Sequence, residues 1–109
     1  KQRRGTVENT IVKFAFNDNY NMNCNVEELT KLGFQNSTYS NDLAPSYKNQ
    51  KGNIQVFFFD LEDKSIKHEG IDYKYSISKL DEHGEYLTDI GLTNSFDEMV
   101  KLVKENETN

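Results

Sequence analysis

The chain of 109 residues carries one cysteine, one proline, two histidines and no tryptophan, and each scarcity excludes something. With Cys24 alone, no intrachain disulfide forms, and together with the missing leader-like apolar segment this makes a reducing, cytoplasmic setting the expectation. The longest apolar run, Val56 to Phe59, is far too short to cross a bilayer, so no membrane partner is expected. The six glycines are scattered singly, which excludes a phosphate-cradling loop or a dinucleotide fingerprint. Histidine and cysteine show no paired metal-ligand spacing, so neither metal nor cofactor is expected. The length suits one domain and excludes separate cofactor and substrate domains.

What is present suffices for folding. Leu, Ile, Val and Phe together number 27, above the level at which a chain cannot offset its ordering entropy. The net charge of -5 is unevenly spread. Residues 1–16 carry four bases (Lys1, Arg3, Arg4, Lys13) against Glu8, whereas residues 60–109 carry 13 acids against six lysines. Such a field repels phosphate, so nucleic acid is a disfavoured partner outside the basic tip.

Hydrophobic periodicity and capping signals predict an α+β domain, an antiparallel β-meander with two helices on one face, in the order β-α-β-β-β-α. Residues 1–9 read as a flexible basic arm, 10–105 as the single domain and 106–109 as a frayed tail. Thr10 to Phe16 reads as a first strand and Asn17 to Asn25 as an Asn-rich loop. Asn25 then caps a short helix with Val26, Leu29 and Leu32 on its apolar face, stopped at Gly33. Residues 35–53, holding Pro45, Tyr39 and Tyr47, read as a long irregular loop available for a partner.

Ile54 to Leu61 is the strongest strand pattern, with Ile54, Val56 and Phe58 on one face and Phe57, Phe59 and Leu61 on the other. It reads as a central strand covered on both faces or as one with an aromatic face left for a partner, and, were it an edge, two copies could pair through it. Residues 62–71 read as a loop, and Asp72 to Leu80 as a half-exposed strand that turns at Asp81–Gly84 into a partner strand over 85–91. Ser95 and Glu98 form a capping box before a last helix bearing Phe96, Met99, Val100 and Val103. From the first helix onward this order is also that of double-stranded RNA-binding domains. Those domains open their last helix with phosphate-gripping lysines, where this chain has Ser95, Asp97 and Glu98.

Catalytic groups are sparse. His68 and His83 read as solvated histidines, Cys24 as an inert thiol, and Asp60, Glu62 and Asp63 as a charged strand end without the basic groove a nuclease requires. The expectation is a non-catalytic acidic protein-binding domain, an inhibitor or modulator of another macromolecule of the immunity or mobile-element anti-defence type. Its partner is another protein with a basic surface, and the chain itself is a monomer or an edge-strand homodimer. The candidate contact residues are the acids Asp60, Glu62, Asp63, Asp81, Glu82 and Glu85 and the aromatic anchors Tyr39, Tyr47, Phe57 and Tyr73. The alternatives are a recognition domain cut from a larger enzyme, to which the Lys1 start and KQRR segment point, or a weak nucleic-acid binder using that segment.

Overall fold

A computed structural model describes residues 9–39 and 41–107. The α+β architecture and the antiparallel meander are as expected, and the described residues form ten elements, four more than the sequence pattern predicts. The first strand is half of a hairpin: β1 (Ile11–Phe14) pairs with β2 (Asn17–Asn21), a strand within the expected Asn-rich loop. Asparagine is a poor strand former, but Tyr20 drives β2 into place by burying its ring completely. After α1 (Val26–Lys31) come β3 (Gln35–Asn36), β4 (Ser46–Lys48) and β5 (Ile54–Phe58). A short helix α2 (Lys64–His68) precedes β6 (Tyr75–Leu80), β7 (Tyr86–Thr93) and α3 (Phe96–Asn106).

The five-stranded sheet runs β3-β4-β5-β6-β7, every neighbour antiparallel. β5 is therefore central, and pairing of two copies through Ile54–Leu61 is closed off because both of its edges are already bonded to β4 and β6. Ile54, Val56 and Phe58 are fully buried, as are Ile77 and nearly Tyr75 beside them. Each such side chain contributes about 1.5–3 kcal/mol on leaving water. Leu29 of α1, Ile66 of α2, and Met99 and Val103 of α3 join this one core, so all three helices contribute to the same cluster.

Four local readings change. The 35–53 connection is not wholly irregular, because Gln35–Lys48 and Asn36–Tyr47 pair as β3 and β4. The 62–71 loop contains α2, whose N-cap Asp63 accepts from Ser65 and Ile66 N–H at 2.8 and 3.2 Å. Leu32 leaves the α1 stripe and is exposed at the C-cap, where Gly33 turns the chain at φ +93° and a β-carbon would press on Gln50 Cβ at 3.2 Å. The capping box of α3 is one-sided: Ser95 Oγ accepts from Glu98 N–H at 3.2 Å, whereas the Ser95 N–H donates to Thr93 Oγ1 at 3.0 Å.

The end of α3 and the residue after it make side-chain contacts with the sheet and the β4–β5 turn. Lys79 Nζ donates to the Asn106 carbonyl, and Asn49 Nδ2 donates to Glu107 Oε2 at 3.0 Å. Residues 1–8 of the expected basic arm over 1–9, and residues 108 and 109, lie outside the described residues. No helix among the described residues is long and apolar enough to cross a membrane.

Candidate functional site

The β1–β2 hairpin is fastened to the end of β5 by side chains from both. Tyr20 Oη donates to the Phe58 carbonyl at 2.7 Å and accepts from Asp60 N–H at 3.0 Å. Asn21 N–H donates to Asp60 Oδ2 at 2.9 Å, Asn23 Nδ2 donates to the Phe59 carbonyl, and Asn17 Nδ2 donates to Asp63 Oδ2 at 2.7 Å. Burial, with the nearby carboxylates adding to it, raises the Tyr20 phenol pKa above its ordinary value, so the group stays a neutral donor.

This fastening brings the hairpin tip against two other segments. Residues 14–19, 41–43 and 62–65 enclose an open cleft of about 780 Å³. Its lining holds the carboxylates of Asp18, Asp42, Glu62 and Asp63 against the single ammonium of Lys64. Asp63 is occupied by its capping bonds and by Asn17, and Asp42 Oδ2 accepts from Tyr39 N–H at 2.9 Å. Glu62 meets Lys67 at 3.3 Å with both side chains largely in water, a pairing of little strength. Among the described residues no hydrogen bond or ion pair engages the Asp18 carboxylate.

Phe16 stands at the tip with a relative exposure of 104%. The turn that presents it is a two-residue loop between Phe14 and Asn17, entered through Ala15 at φ +55°, a left-handed backbone that an alanine adopts at a cost. Leu43, also exposed, faces the same cleft.

The contact residues expected from sequence fall into four places. Glu62 and Asp63 line the cleft, and Tyr39, 70% exposed, sits beside its Asp42 wall. Asp60 is only 7% exposed and Tyr47 only 8%, so neither presents its side chain to a partner. The Asp60 carboxylate holds Asn21 and Glu62 N–H groups, and the Tyr47 ring packs edge-on against Phe58 in the core. Phe57 and Tyr73 are partly buried against the core cluster, where Phe57 stacks on the buried Phe59 at 6.5 Å and Phe59 meets Tyr73 at 5.4 Å.

Asp81, Glu82 and Glu85 occupy the β6–β7 turn. That turn lies at the other end of the sheet, because Phe58 pairs with Tyr75 and Ile54 with Lys79. The four steps from Ile54 to Phe58, at roughly 3.3 Å each, already separate the two ends by about 13 Å along the strands, and the two acidic groups lie beyond those ends. Asp81 Oδ1 accepts from His83 and Glu85 N–H at 2.8 and 2.9 Å, bonds that lower its pKa and shape a turn completed by Gly84 at φ +81°.

Sequence reasoning missed Phe16, Asp18, Asp42 and Leu43. The signal for the first two was a lone aromatic followed by Asn-Asp-Asn, a turn-prone stretch inside one β pattern.

The remaining reactive groups are isolated. Cys24 lies at a smaller hollow with Glu28 and Asp97, and burial, reinforced by Glu28, pushes its thiol up to about 12, so it is protonated at neutral pH. His68 ends α2 in solvent and His83 faces Glu82 at 3.5 Å. Among the described residues no three His, Cys, Asp or Glu side chains are grouped to hold a metal ion. No family model matches the chain, and no similar curated protein or solved structure was found.

Proposed function

We propose that the chain is a non-catalytic acidic protein-binding domain that inhibits or modulates another macromolecule by covering a basic surface on it. The observation that carries this reading is the cleft: a fully exposed phenylalanine beside four carboxylates and one lysine, held on a hairpin fastened to the core. An aromatic anchor surrounded by charge of one sign combines a desolvated contact with fast, steered association. A toxin, a nuclease or another protein with a phosphate-binding surface presents the complementary charge, which fits an immunity or anti-defence role.

The test is capture of a partner from host lysate by the wild-type chain, by Phe16→Ala with Asp18→Asn, and by Glu82→Gln with Glu85→Gln. One stoichiometric basic protein, released by salt and lost with the cleft variant alone, supports the reading. Retention by the cleft variant and loss with the turn variant moves the contact to the β6–β7 turn. Recovery of nucleic acid alone, or of nothing, overturns it.

A second reading, a recognition domain of a larger enzyme, is favoured by β7. This edge strand exposes Tyr86, Leu87 and Leu92, apolar surface of the kind a neighbouring domain covers. Its two interruptions of register, however, kink the strand and blunt simple edge-to-edge pairing.

A further inference from the structure

We propose that the cleft at the β1–β2 tip recognises an arginine side chain of the protein partner, with the Phe16 ring and the carboxylates of Asp18 and Glu62 as its contacts. This rests on the protein-binding reading and specifies its chemistry.

Three features select the guanidinium. The cleft lining carries three more negative than positive groups, so its occupant is a cation, and a phosphate-bearing ligand is repelled. Of the four carboxylates, Asp63 is saturated by Asn17 and by the N–H groups it caps, whereas Asp18 accepts from none of the described residues and Glu62 is tied only to a solvated lysine. The third feature is Phe16 itself, whose ring offers both faces to solvent beside those acids.

A planar cation with a forked set of donors uses both kinds of surface at once. It stacks on an aromatic face while donating in parallel to carboxylates, and it sheds its hydration more readily than an ammonium does. The cleft is wider than one side chain, and Leu43 forms an apolar part of its wall, so the arginine arrives on a segment with an apolar residue close by.

The experiment titrates the full chain, at low salt, with two blocked peptides, acetyl-Gly-Arg-Gly-Leu-amide and its Lys counterpart, following backbone amide resonances. The arginine peptide should shift residues in the 14–19, 41–43 and 62–65 segments and bind about two- to fivefold more tightly than the lysine peptide, the range of a cation–π contact at an exposed site. Phe16→Leu, at a position that buries nothing, should keep the melting temperature and erase the difference between the peptides. Asp18→Asn with Glu62→Gln should weaken both.

Equal binding of the two peptides, shifts confined to other surfaces, or no shifts at all overturn the arginine assignment while leaving the protein-binding reading to the capture experiment. Concentration-dependent shifts of the cleft in the free protein overturn it in favour of a second copy of this chain. Capture of a salt-released partner whose binding survives Phe16→Leu but not Asp18→Asn overturns the assignment without touching the wider function.

Discussion

Asn17 and Asp63 are 46 residues apart in sequence, and the Asn17 amide donates to the Asp63 carboxylate at 2.7 Å, joining the hairpin to the N-cap of α2. The same carboxylate therefore starts a helix and fixes the hairpin whose tip forms the cleft. Removing the amide in Asn17→Ala should cost about 1.5 kcal/mol, the low end for a hydrogen bond to a charged group because the pair is partly solvated. A double-mutant cycle with Asp63→Ala, read by urea unfolding, should show a coupling of at least about 0.5 kcal/mol. Strict additivity would mean that this bond does not hold the hairpin.

The contrast between β5 and β2 explains how much could be read from the sequence. In Ile54–Phe58 local propensity and burial agree: the strict alternation predicts a central strand, and Ile54, Val56 and Phe58 fill the core. The hairpin turn at Asp81–Gly84 and the helix after Ser95 were legible for the same reason. β2 (NDNYN) has almost no strand propensity and exists because Tyr20 and the Asn17, Asn21 and Asn23 groups find partners on residues 58–63. α2 is five residues long, below the length at which a helix shows a period, and depends on Asp63 and on burial of Ile66. The cleft inherits this opacity, since its 14–19 and 62–65 walls are joined by the Asn17–Asp63 bond between residues 46 apart in sequence. Only Glu62 and Asp63 were recognisable, as a charged strand end, without any sign of the aromatic they would meet.

Ala15 enters the hairpin turn at φ +55°, where its β-carbon is unfavourably placed. Glycine accepts that backbone freely but gains entropy in the unfolded chain, so the two effects partly cancel. Ala15→Gly should therefore stabilise the protein by about 0.5 kcal/mol, seen as a higher urea midpoint with an unchanged slope. Ala15→Val, branched at the same carbon, should lower the midpoint. A loss of stability in Ala15→Gly would show that the left-handed turn is not present in solution.

Burial raises the phenol pKa values of Tyr20, Tyr75 and Tyr47 above the ordinary value. Because the folded values exceed the unfolded value of about 10, the stability linked to these groups is complete below that pH and is lost as pH rises toward the folded values. Alkaline unfolding should set in above about pH 10, with phenolate absorbance and loss of secondary structure rising together. Tyr20→Phe should weaken this alkaline dependence and also cost about 1–3 kcal/mol at neutral pH, since it leaves the Phe58 carbonyl and Asp60 N–H without their buried partner. Ionisation of these tyrosines with the fold intact would contradict the burial.

Phe16 and Phe58 separate binding from folding within one residue type. Phe58 is fully buried between Tyr47 and Tyr75, at 5.8 Å from each ring, so Phe58→Ala should cost about 3–5 kcal/mol. Phe16 covers nothing, and Phe16→Ala should leave stability within about 0.5 kcal/mol of the wild type. If the tip is the anchor of a protein contact, the same Phe16→Ala change should abolish partner capture, while circular dichroism and the thermal midpoint stay where they were. A marked fall in midpoint would instead place the Phe16 ring against the body of the domain. An unchanged midpoint with capture intact would remove the cleft from the binding surface and turn attention to the aromatic face around Phe57 and Tyr73, where the rings are half covered and the neighbouring Leu92 is exposed.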